Sequence, residues 1–365
     1  MQDKDKEKSI KMSNIEKIPS FDFDAYFEHS LKPTEYEVQF TNTLNDQLPS
    51  RIIDVHVHAS EAQHFDITKA QSILDKSAST FPETTIEQSQ QIDALLHPGM
   101  DVRKLRFAHA FRGIDHASVN EYLLDNSPPK DRVALFGISD NNDEVEYTRE
   151  ELRSGNYSGL KMYYCSSEVQ RKALYDYFPK DVLEVAEEVD VPIILHLPNT
   201  ISRSLDEVSA LASDFPKLRI MLAHAGVTWS YPKHFEQTMA ETASHPNIFM
   251  DTSGVTNPAI IQTALEQFGP ERILYGSDEP LNLLREFTYV NPDLGPRLLT
   301  DYPYHWVDPK EYETYKHLLP EHLMYCELQQ VDALLVAIRG VASTRKSDAF
   351  IQSIFHDNGQ REFNF

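Results

Sequence analysis

Two histidines separated by one residue stand at the end of the first apolar run of the chain, RIIDVHV (51–57), which His58 follows directly. Side chains alternate across a strand, so Asp54, His56 and His58 are expected to face the same way. Two imidazoles one strand repeat apart can bind a single metal ion. The alternative is a pair of hydrogen-bonded histidines beside a turn, and this spacing alone leaves both interpretations open.

Three further polar residues stand at the ends of later apolar runs. His196 ends PIILH, His224 ends IMLAH, and Asp278 ends ILYGSD. If these runs are strands of a barrel, their carboxyl ends converge on one mouth, where barrel active sites lie. Nitrogen and carboxylate ligands without a thiolate suit zinc, with manganese or iron as alternatives. The sequence therefore predicts that these residues gather around a metal ion with His56 and His58.

The elements that would position these residues are short apolar runs alternating with helical patterns. Helices are predicted at 204–215, with Ser204 and Glu207 as a capping box, and at 257–268, before Gly269. Strand–helix alternation predicts a parallel sheet covered by helices, and eight runs favour a closed (β/α)8 TIM-type barrel. No glycine-rich phosphate loop follows the first run, which disfavours a nucleotide-binding fold. The eight predicted strands span residues 51–57, 104–110, 132–138, 159–164, 191–197, 218–224, 247–253 and 272–278.

Composition divides the remainder of the chain. The charged composition of residues 1–20 predicts a disordered tail. Residues 21–50 contain more aromatic side chains, which predicts an ordered N-terminal arm. Residues 51–365 are expected to form the barrel. An aromatic-rich insertion, 279–320, follows the eighth run. It would cap the mouth, build a dimer interface, or pack as a layer on the exterior of the barrel.

Length and charge exclude several classes of protein. The chain has 365 residues, 41% of them hydrophobic and 25% charged, which is typical of a globular protein. Its net charge of -23 disfavours general nucleic-acid binding. No apolar run approaches the ~18 residues of a membrane span, and no apolar segment near the N-terminus suggests a secretory signal. Two cysteines exclude a disulfide scaffold and fit a reducing compartment, so we expect a cytoplasmic protein.

The motifs that carry these residues resemble those of the amidohydrolase superfamily. The segments are DVHVHAS, PIILHLP, LRIMLAHAG and GPERILYGSDEP, and the tail Ile354–Phe363 resembles a closing helix. The resemblance covers about Arg51 to Phe365. It is closer to the branch that includes aminocarboxymuconate semialdehyde decarboxylase, γ-resorcylate decarboxylase and pyrone dicarboxylate lactonase. It implies a metal-dependent enzyme on a TIM barrel.

The resemblance also implies roles for the residues. It implies that His56, His58 and His196 are metal ligands, and that Asp278 is a fourth ligand, a proton acceptor, or both. His224 would polarise a substrate oxygen or carry a proton. The expected cofactor is one divalent ion, zinc, with manganese as the alternative.

Residues around this centre are candidates for substrate binding. Lys161 on the fourth run would bind a substrate carboxylate or form a structural ion pair; carbamylated, it would instead bridge a second metal ion. Tyr163 lies on the same predicted strand face as Lys161 and would line the pocket. Alternatively, its ring would pack in the core of the barrel. His109 and Arg112 follow the second run, with a loop ion pair as the alternative for Arg112. Trp229, in the loop after the sixth run, is a candidate pocket wall.

Three functions remain open at this level. The first is hydrolysis of a small-molecule ester, lactone or amide, with metal-bound hydroxide as nucleophile. The second is non-oxidative decarboxylation of an aromatic or unsaturated carboxylic acid, and the third is a barrel without catalytic activity. Some decarboxylases of the branch have Glu-x-His where this chain has His56-Val-His58, which favours hydrolysis. We expect a small-molecule substrate, no nucleic-acid or membrane partner, and a homodimer.

Overall fold

The computed structural model describes residues 23–66, 83–110, 113–164, 173–293, 295–301, 309–320, 322–342 and 344–365. The predicted tail, Arg112, Cys165 and part of the 279–320 insertion lie outside these ranges. Within them, eight parallel strands form one sheet in sequence order. These are β1 (Arg51–His58), β2 (Asp101–Phe107), β3 (Arg132–Phe136), β4 (Gly159–Met162), β5 (Ile193–Leu195), β6 (Ile220–Leu222), β7 (Ile248–Asp251) and β8 (Ile273–Leu274).

Hydrogen bonds between β1 and the chain after β8 close this sheet into a barrel. Val55 N donates to Tyr275 O, and His58 N donates to Glu279 O, at 3.1 and 2.9 Å. The predicted (β/α)8 barrel is confirmed, with an N-terminal arm before it and a long insertion after β8. All eight predicted strands are present, and most are shorter than their apolar runs.

Helices surround the barrel and cover its apolar exterior. The larger ones are amphipathic and bury their apolar faces on the strands, as in the helix Lys180–Glu188, where Val182, Leu183 and Val185 are buried. In chain order the helices are α1 (Phe23–Ser30), α2 (Glu35–Asn45), α3 (Ile86–Leu96), α4 (His116–Asn126), α5 (Asn142–Ser154), α6 (Leu174–Tyr177), α7 (Lys180–Glu188), α8 (Ile201–Asp214), α9 (Phe235–Ala243), α10 (Pro258–Phe268), α11 (Pro309–Tyr315), α12 (Cys326–Val341), α13 (Thr344–Gln352) and α14 (Asn358–Phe363).

The barrel interior is filled by apolar side chains from several strands together with the C-terminal helix. Ile53 and Val55 of β1 pack in this cluster with Phe363 of α14. Gly359 of α14 lies against β1, and a Cβ atom there would come within 2.6 Å of Ile53 Cγ2. The predicted closing helix therefore plugs the barrel, and this glycine allows its close approach to β1.

Side-chain alternation along β1 is interrupted, contrary to the expectation that positions 54, 56 and 58 share a face. The register with β2 shifts between Asp54 and Val57. Asp54 accepts hydrogen bonds from the backbone amides of Ser277 and His56, at 2.9 and 3.1 Å. Because of this bulge, Ile53 and Val55 point into the core while His56 and His58 reach the mouth of the barrel.

The N-terminal arm packs against the segment after β8. Helix α2 begins with a capping box between Thr34 and Glu37. Glu37 is buried and pairs with Arg285 at 2.8 Å, and it also accepts a hydrogen bond from Tyr325 N. The arm is thus tied to the barrel by a buried ion pair.

The insertion after β8 contains an antiparallel hairpin, β9 (Glu286–Asn291) and β10 (Gly295–Thr300), followed by α11. Tyr289 and Leu299 are buried in a separate small cluster with Phe287, Tyr312 and Tyr315. The described part of this insertion therefore has its own apolar centre.

One predicted helix start was wrong. Ser204 and Glu207 do not form a capping box, because α8 begins three residues earlier, after Thr200. Ser204 is buried inside the helix, and Glu207 accepts a hydrogen bond from Leu174 N at 2.9 Å. The second predicted helix is confirmed as α10, which begins after Asn257. No helix among the described residues is long and apolar enough to span a membrane.

A buried histidine–glutamate pair makes the stability of the fold depend on pH. His97 Nε2 lies 2.6 Å from Glu327 Oε1. Burial alone would lower the pKa of His97, but Glu327 raises it above its ordinary 6.5. Burial alone would raise the pKa of Glu327, but His97 holds it below its ordinary 4.5. The histidine's stabilisation is lost as pH rises through its raised pKa, and that of the glutamate is lost as pH falls through its lowered pKa.

We therefore expect the coupling between His97→Gln and Glu327→Gln to be stronger at about pH 5.5 than at about pH 9. Chemical denaturation of both single variants and the double variant measures this coupling. The Glu37–Arg285 pair is the control, since arginine stays charged over this range. Equal coupling at both pH values for the histidine pair would contradict the assignment.

Candidate metal centre

Two elements bring a His-His-Asp group together at the carboxyl ends of the strands. His56 and His58 come from the end of β1, and Asp278 lies four residues after β8. Asp278 Oδ1 is 3.4 Å from His56 Nε2 and 3.5 Å from His58 Nε2. One ligand atom from each residue lies within 4.8 Å of the others. Three of the residues predicted from sequence are therefore close enough to bind one ion.

The hydrogen bonds of the histidines fix which ring nitrogen carries the proton. His56 Nδ1 lies 2.9 Å from an Asp251 carboxylate oxygen, and His58 Nδ1 lies 3.0 Å from the Ala108 carbonyl. Both partners are acceptors, so each Nδ1 carries the proton and donates the hydrogen bond, and each Nε2 keeps a lone pair. His196 and His224 follow the same pattern, with Nδ1 within 3.0 Å of a backbone carbonyl.

The three donor atoms of the His-His-Asp group are arranged as they would be around a bound cation. His56 Nε2 is buried and has no hydrogen-bond partner among the described residues. It faces His58 Nε2 and a carboxylate oxygen, which are also electron-pair donors. Three such atoms facing one another are unfavourable unless a cation lies among them, and nitrogen and carboxylate donors suit zinc.

Burial and charge set the protonation states that such a site needs. Burial, with Lys161 nearby, lowers the pKa of His56 to about 3, so this imidazole is neutral at neutral pH. Burial alone would raise the pKa of Asp278, but His224, His58 and His56 outweigh it and hold the pKa below its usual range. Asp278 is therefore ionised, and the group combines a neutral ligand with an anionic one.

Asp251, at the end of β7, connects two histidines of the site. Its role was not predicted from the sequence. One carboxylate oxygen accepts from His56 Nδ1, and the other accepts from His224 N at 2.8 Å and from Ser253 Oγ at 2.5 Å. Burial alone would raise the pKa of Asp251, but His56 holds it below its usual range. An acidic residue at the end of a predicted barrel strand was the available signal, since the same rule identified Asp278.

Replacing Asp251 with asparagine is expected to weaken metal binding about 10- to 100-fold. The amide would present a weaker acceptor to His56 Nδ1, or a donor if flipped, and His56 would lose its preferred tautomer. Competition with a chromogenic chelator measures the affinity. Asp301→Asn, a partly exposed acid in the insertion, is the control and should bind metal as wild type does. Unchanged affinity in Asp251→Asn would show that this hydrogen bond does not orient His56.

His224 is presented on a strained backbone. The turn His224–Val227 has positive φ angles at all four positions, from 47° to 70°. Left-handed conformations at non-glycine residues cost on the order of 1 kcal/mol or more each. Gly226 is required within this turn, since a Cβ atom would come within 2.7 Å of Ile201 Cβ. The Asp251 bond to His224 N helps to hold the turn.

Aromatic rings gather around His224 and His196. The His224 ring centroid lies 4.8 Å from that of His56 and 5.0 Å from that of His196. Tyr163 contacts His196 with a centroid distance of 4.8 Å, and Trp229 contacts His224 at 5.2 Å. Trp229 is 48% exposed, so its ring lies at the open side of the site. His196 is near the His-His-Asp group, but it is not one of its three members.

Lys161, on β4, is a buried cation beside these residues. Its Nζ has no hydrogen-bond partner among the described residues and lies 5.1 Å from the Phe107 ring centroid. Burial lowers its pKa to about 8, although Asp251 and Asp278 oppose the shift. The side chain is thus predominantly an ammonium at neutral pH.

His109 also lies beside the site, whereas Arg112 is outside the described residues. The His109 ring stacks on that of His58 with centroids 5.4 Å apart, and its Nδ1 lies 2.9 Å from Ser60 Oγ. Burial lowers the pKa of His109 well below its usual value. This histidine packs against a member of the His-His-Asp group.

The barrel and the polar groups at its strand ends define a (β/α)8-barrel protein with a candidate metal centre at its mouth. A family model described as amidohydrolase matches residues 53–365. The chain therefore belongs to the amidohydrolase family and is an enzyme. The resemblance inferred from its motifs is confirmed.

Solved structures share the fold at low sequence identity. An amidohydrolase from Burkholderia multivorans with bound zinc is 13% identical, with a TM-score of 0.55, over 86% of this chain and 99% of that chain. A 2,6-dihydroxybenzoate decarboxylase complexed with 2,6-dihydroxybenzoate is also 13% identical, with a TM-score of 0.54 and the same coverage. A 4-oxalomesaconate hydratase from Rhodopseudomonas palustris is 16% identical, with a TM-score of 0.50, over 86% and 95%. At these identities the likeness shows the fold alone.

A curated relative matches only in part. An uncharacterized protein from Sinorhizobium fredii is 31% identical in a 93-residue alignment, which covers 22% of this chain and 31% of that protein. The match thus spans less than a third of the relative's length.

Proposed function

We propose that this enzyme is a metal-dependent hydrolase that cleaves an ester, lactone or amide bond of a small molecule. His56, His58 and Asp278 would hold one divalent ion, zinc or manganese, with His196 completing the ligand set. Such an ion supplies Lewis-acid polarisation of a carbonyl oxygen and makes water more acidic.

The observation that carries this proposal is the placement of the Asp278 carboxylate beside the Nε2 atoms of His56 and His58. The pKa of Asp278 is held below the usual range, and its carboxylate lies within 3.5 Å of two histidine nitrogens. A hydrolase needs a proton acceptor for the attacking water, which an ionised carboxylate provides. A decarboxylase needs instead a donor that protonates the carbon after carbon dioxide leaves, and an ionised Asp278 does not supply that proton.

His224 and Lys161 would serve the rest of the reaction. With its Nδ1 proton held by Ser253 O at 2.9 Å, His224 has Nε2 free to accept a proton and pass it to the leaving group. The unpaired ammonium of Lys161 would bind a substrate carboxylate or the developing negative charge on the carbonyl oxygen. Trp229 and Tyr163 would form the walls that contact the rest of the substrate.

The test is a panel of lactones, aryl esters and amides assayed beside hydroxybenzoic acids with metal-reconstituted protein. The expected result is acid release from the lactones or esters, measured by pH-stat titration, or amine release from the amides. Carbon dioxide release from the hydroxybenzoic acids, without acid release from the first set, would overturn hydrolysis in favour of decarboxylation. The Asp278→Asn variant separates enzymatic acid release from spontaneous hydrolysis.

A further inference from the structure

Glu279 follows Asp278 directly, and its backbone is bonded to the strand that carries both histidines. His58 N donates to Glu279 O at 2.9 Å, and Asp278 N donates to His56 O at 3.0 Å. The positions of all three members of the His-His-Asp group therefore depend on how the segment 278–279 is held. Glu279 itself is 1% exposed.

The backbone at Asp278 adopts a conformation that needs external support. Its φ angle is 63°, in the left-handed region that an aspartate adopts less readily than glycine. Glu279 N donates to Ser277 Oγ at 3.0 Å, and Leu281 N donates to Asp278 O at 2.8 Å. These bonds define a tight turn, and the side chain of Glu279 fixes it to the rest of the barrel.

That side chain ends in a buried ion pair with β2 and α3. Glu279 Oε2 lies 2.5 Å from Lys104 Nζ, and both side chains are 1% exposed. Ser89 Oγ donates to Glu279 Oε1 and accepts from Lys104 Nζ at 2.9 Å. Lys104 also pairs with Asp93 at 2.6 Å. The carboxylate of Glu279 therefore has a charged partner and a hydroxyl partner in fixed positions.

Stability alone is a weak explanation for this arrangement. Desolvation of two charges offsets much of their attraction, so a well-packed apolar pair would stabilise a fold at least as much as this ion pair does. A buried, hydrogen-bonded ion pair differs in that it accepts only one geometry. Its placement next to Asp278 makes that geometry relevant to the site.

We propose that Lys104, Glu279 and Ser89 are positioning residues that hold Asp278 and His58 at metal-binding distance. The inference rests on the proposed metal-dependent function. Glu279 acts through the backbone of residues 278–279, and Lys104 and Ser89 act through the carboxylate of Glu279. None of the three needs to touch the ion or the substrate.

The test compares Glu279→Gln and Lys104→Met with a matched control. Glu37→Gln breaks another buried ion pair, Glu37–Arg285, whose glutamate lies in the N-terminal arm. Zinc affinity is measured by chelator competition, and the visible absorption spectrum of the Co²⁺-loaded protein reports ligand geometry. We expect Glu279→Gln and Lys104→Met to lower zinc affinity about 10- to 100-fold and to change the Co²⁺ spectrum. Glu37→Gln should lower the melting temperature and leave both metal readouts unchanged.

A milder variant covers the case in which the charge variants do not fold. Ser89→Ala removes one hydrogen bond from Glu279 and should lower zinc affinity by less than about 10-fold with a shifted Co²⁺ spectrum. Wild-type affinity and spectrum in the variants that fold would overturn the inference, as would equal losses in Glu37→Gln. A wild-type protein that binds neither Zn²⁺ nor Co²⁺ would overturn the proposed function as well, so the two failures are distinguishable.

Discussion

Replacing His58 with alanine is expected to remove the bound metal and to lower kcat/KM at least about 1,000-fold. The loss follows because Lewis-acid stabilisation of a transition state is worth several kcal/mol, and each 1.4 kcal/mol is about tenfold in rate. His58 is the better choice for this test than His56. Its Nδ1 bonds only a backbone carbonyl, whereas removal of His56 would also take away the donor to one carboxylate oxygen of the buried Asp251.

The measurement is metal content by elemental analysis together with the hydrolysis rate. His97→Gln is the matched control, since it changes a buried imidazole that lies outside the site and pairs with Glu327. That control should melt at a lower temperature but retain its metal and its activity. A His58→Ala protein with wild-type metal content would exclude His58 as a ligand.

Replacing Asp278 with asparagine is expected to lower kcat by about 100- to 10,000-fold, the usual contribution of a positioned general base. The asparagine has the same shape, but its amide cannot accept a proton from water. Because the amide is also a weaker metal ligand than the carboxylate, kcat is measured with saturating metal. The loss should persist at every pH between about 6 and 9, because no titratable group replaces the carboxylate. Steady-state kinetics on whichever ester or lactone the panel identifies provide the measurement.

The control for this variant is Asp101→Asn, at the opposite end of the barrel. Asp101 begins β2 and pairs with Arg51 at 3.0 Å on the surface. Loss of an exposed pair costs at most about 1 kcal/mol of stability and should leave kcat unchanged. If Asp278→Asn kept more than about a tenth of wild-type kcat, Asp278 would not be the general base.

Much of the fold was predictable because it depends on local patterns. The eight strands are apolar runs with β-branched residues, and the helices between them have apolar stripes. Strand order follows from the alternation of these elements in the chain, since parallel neighbours in a barrel are consecutive. The positions of His56, His58 and Asp278 then followed from the rule that strand ends meet at the mouth.

The parts that escaped prediction depend on contacts between distant segments. The bulge in β1 is set by Asp54 bonding to Ser277, which lies more than 200 residues away in the chain. The left-handed turn at His224 is bonded to Asp251, and Lys104 pairs with Glu279, the residue after the turn at Asp278. Period and composition carry no information about such pairings. The start of α8 was misplaced because Ser204 and Glu207 match the pattern of a capping box, whereas the true N-cap, Thr200, makes no side-chain capping bond.

Metal content per chain shows whether the His-His-Asp group binds a metal ion. Protein purified without chelator and incubated with zinc or manganese would be dialysed and measured by elemental analysis. We predict about one ion per chain, held by His56, His58 and Asp278. Two ions per chain would require a second site, with Lys161 as a carbamylated bridge. The absence of bound metal under these conditions would contradict metal binding by this group and would indicate that its histidines have a structural role.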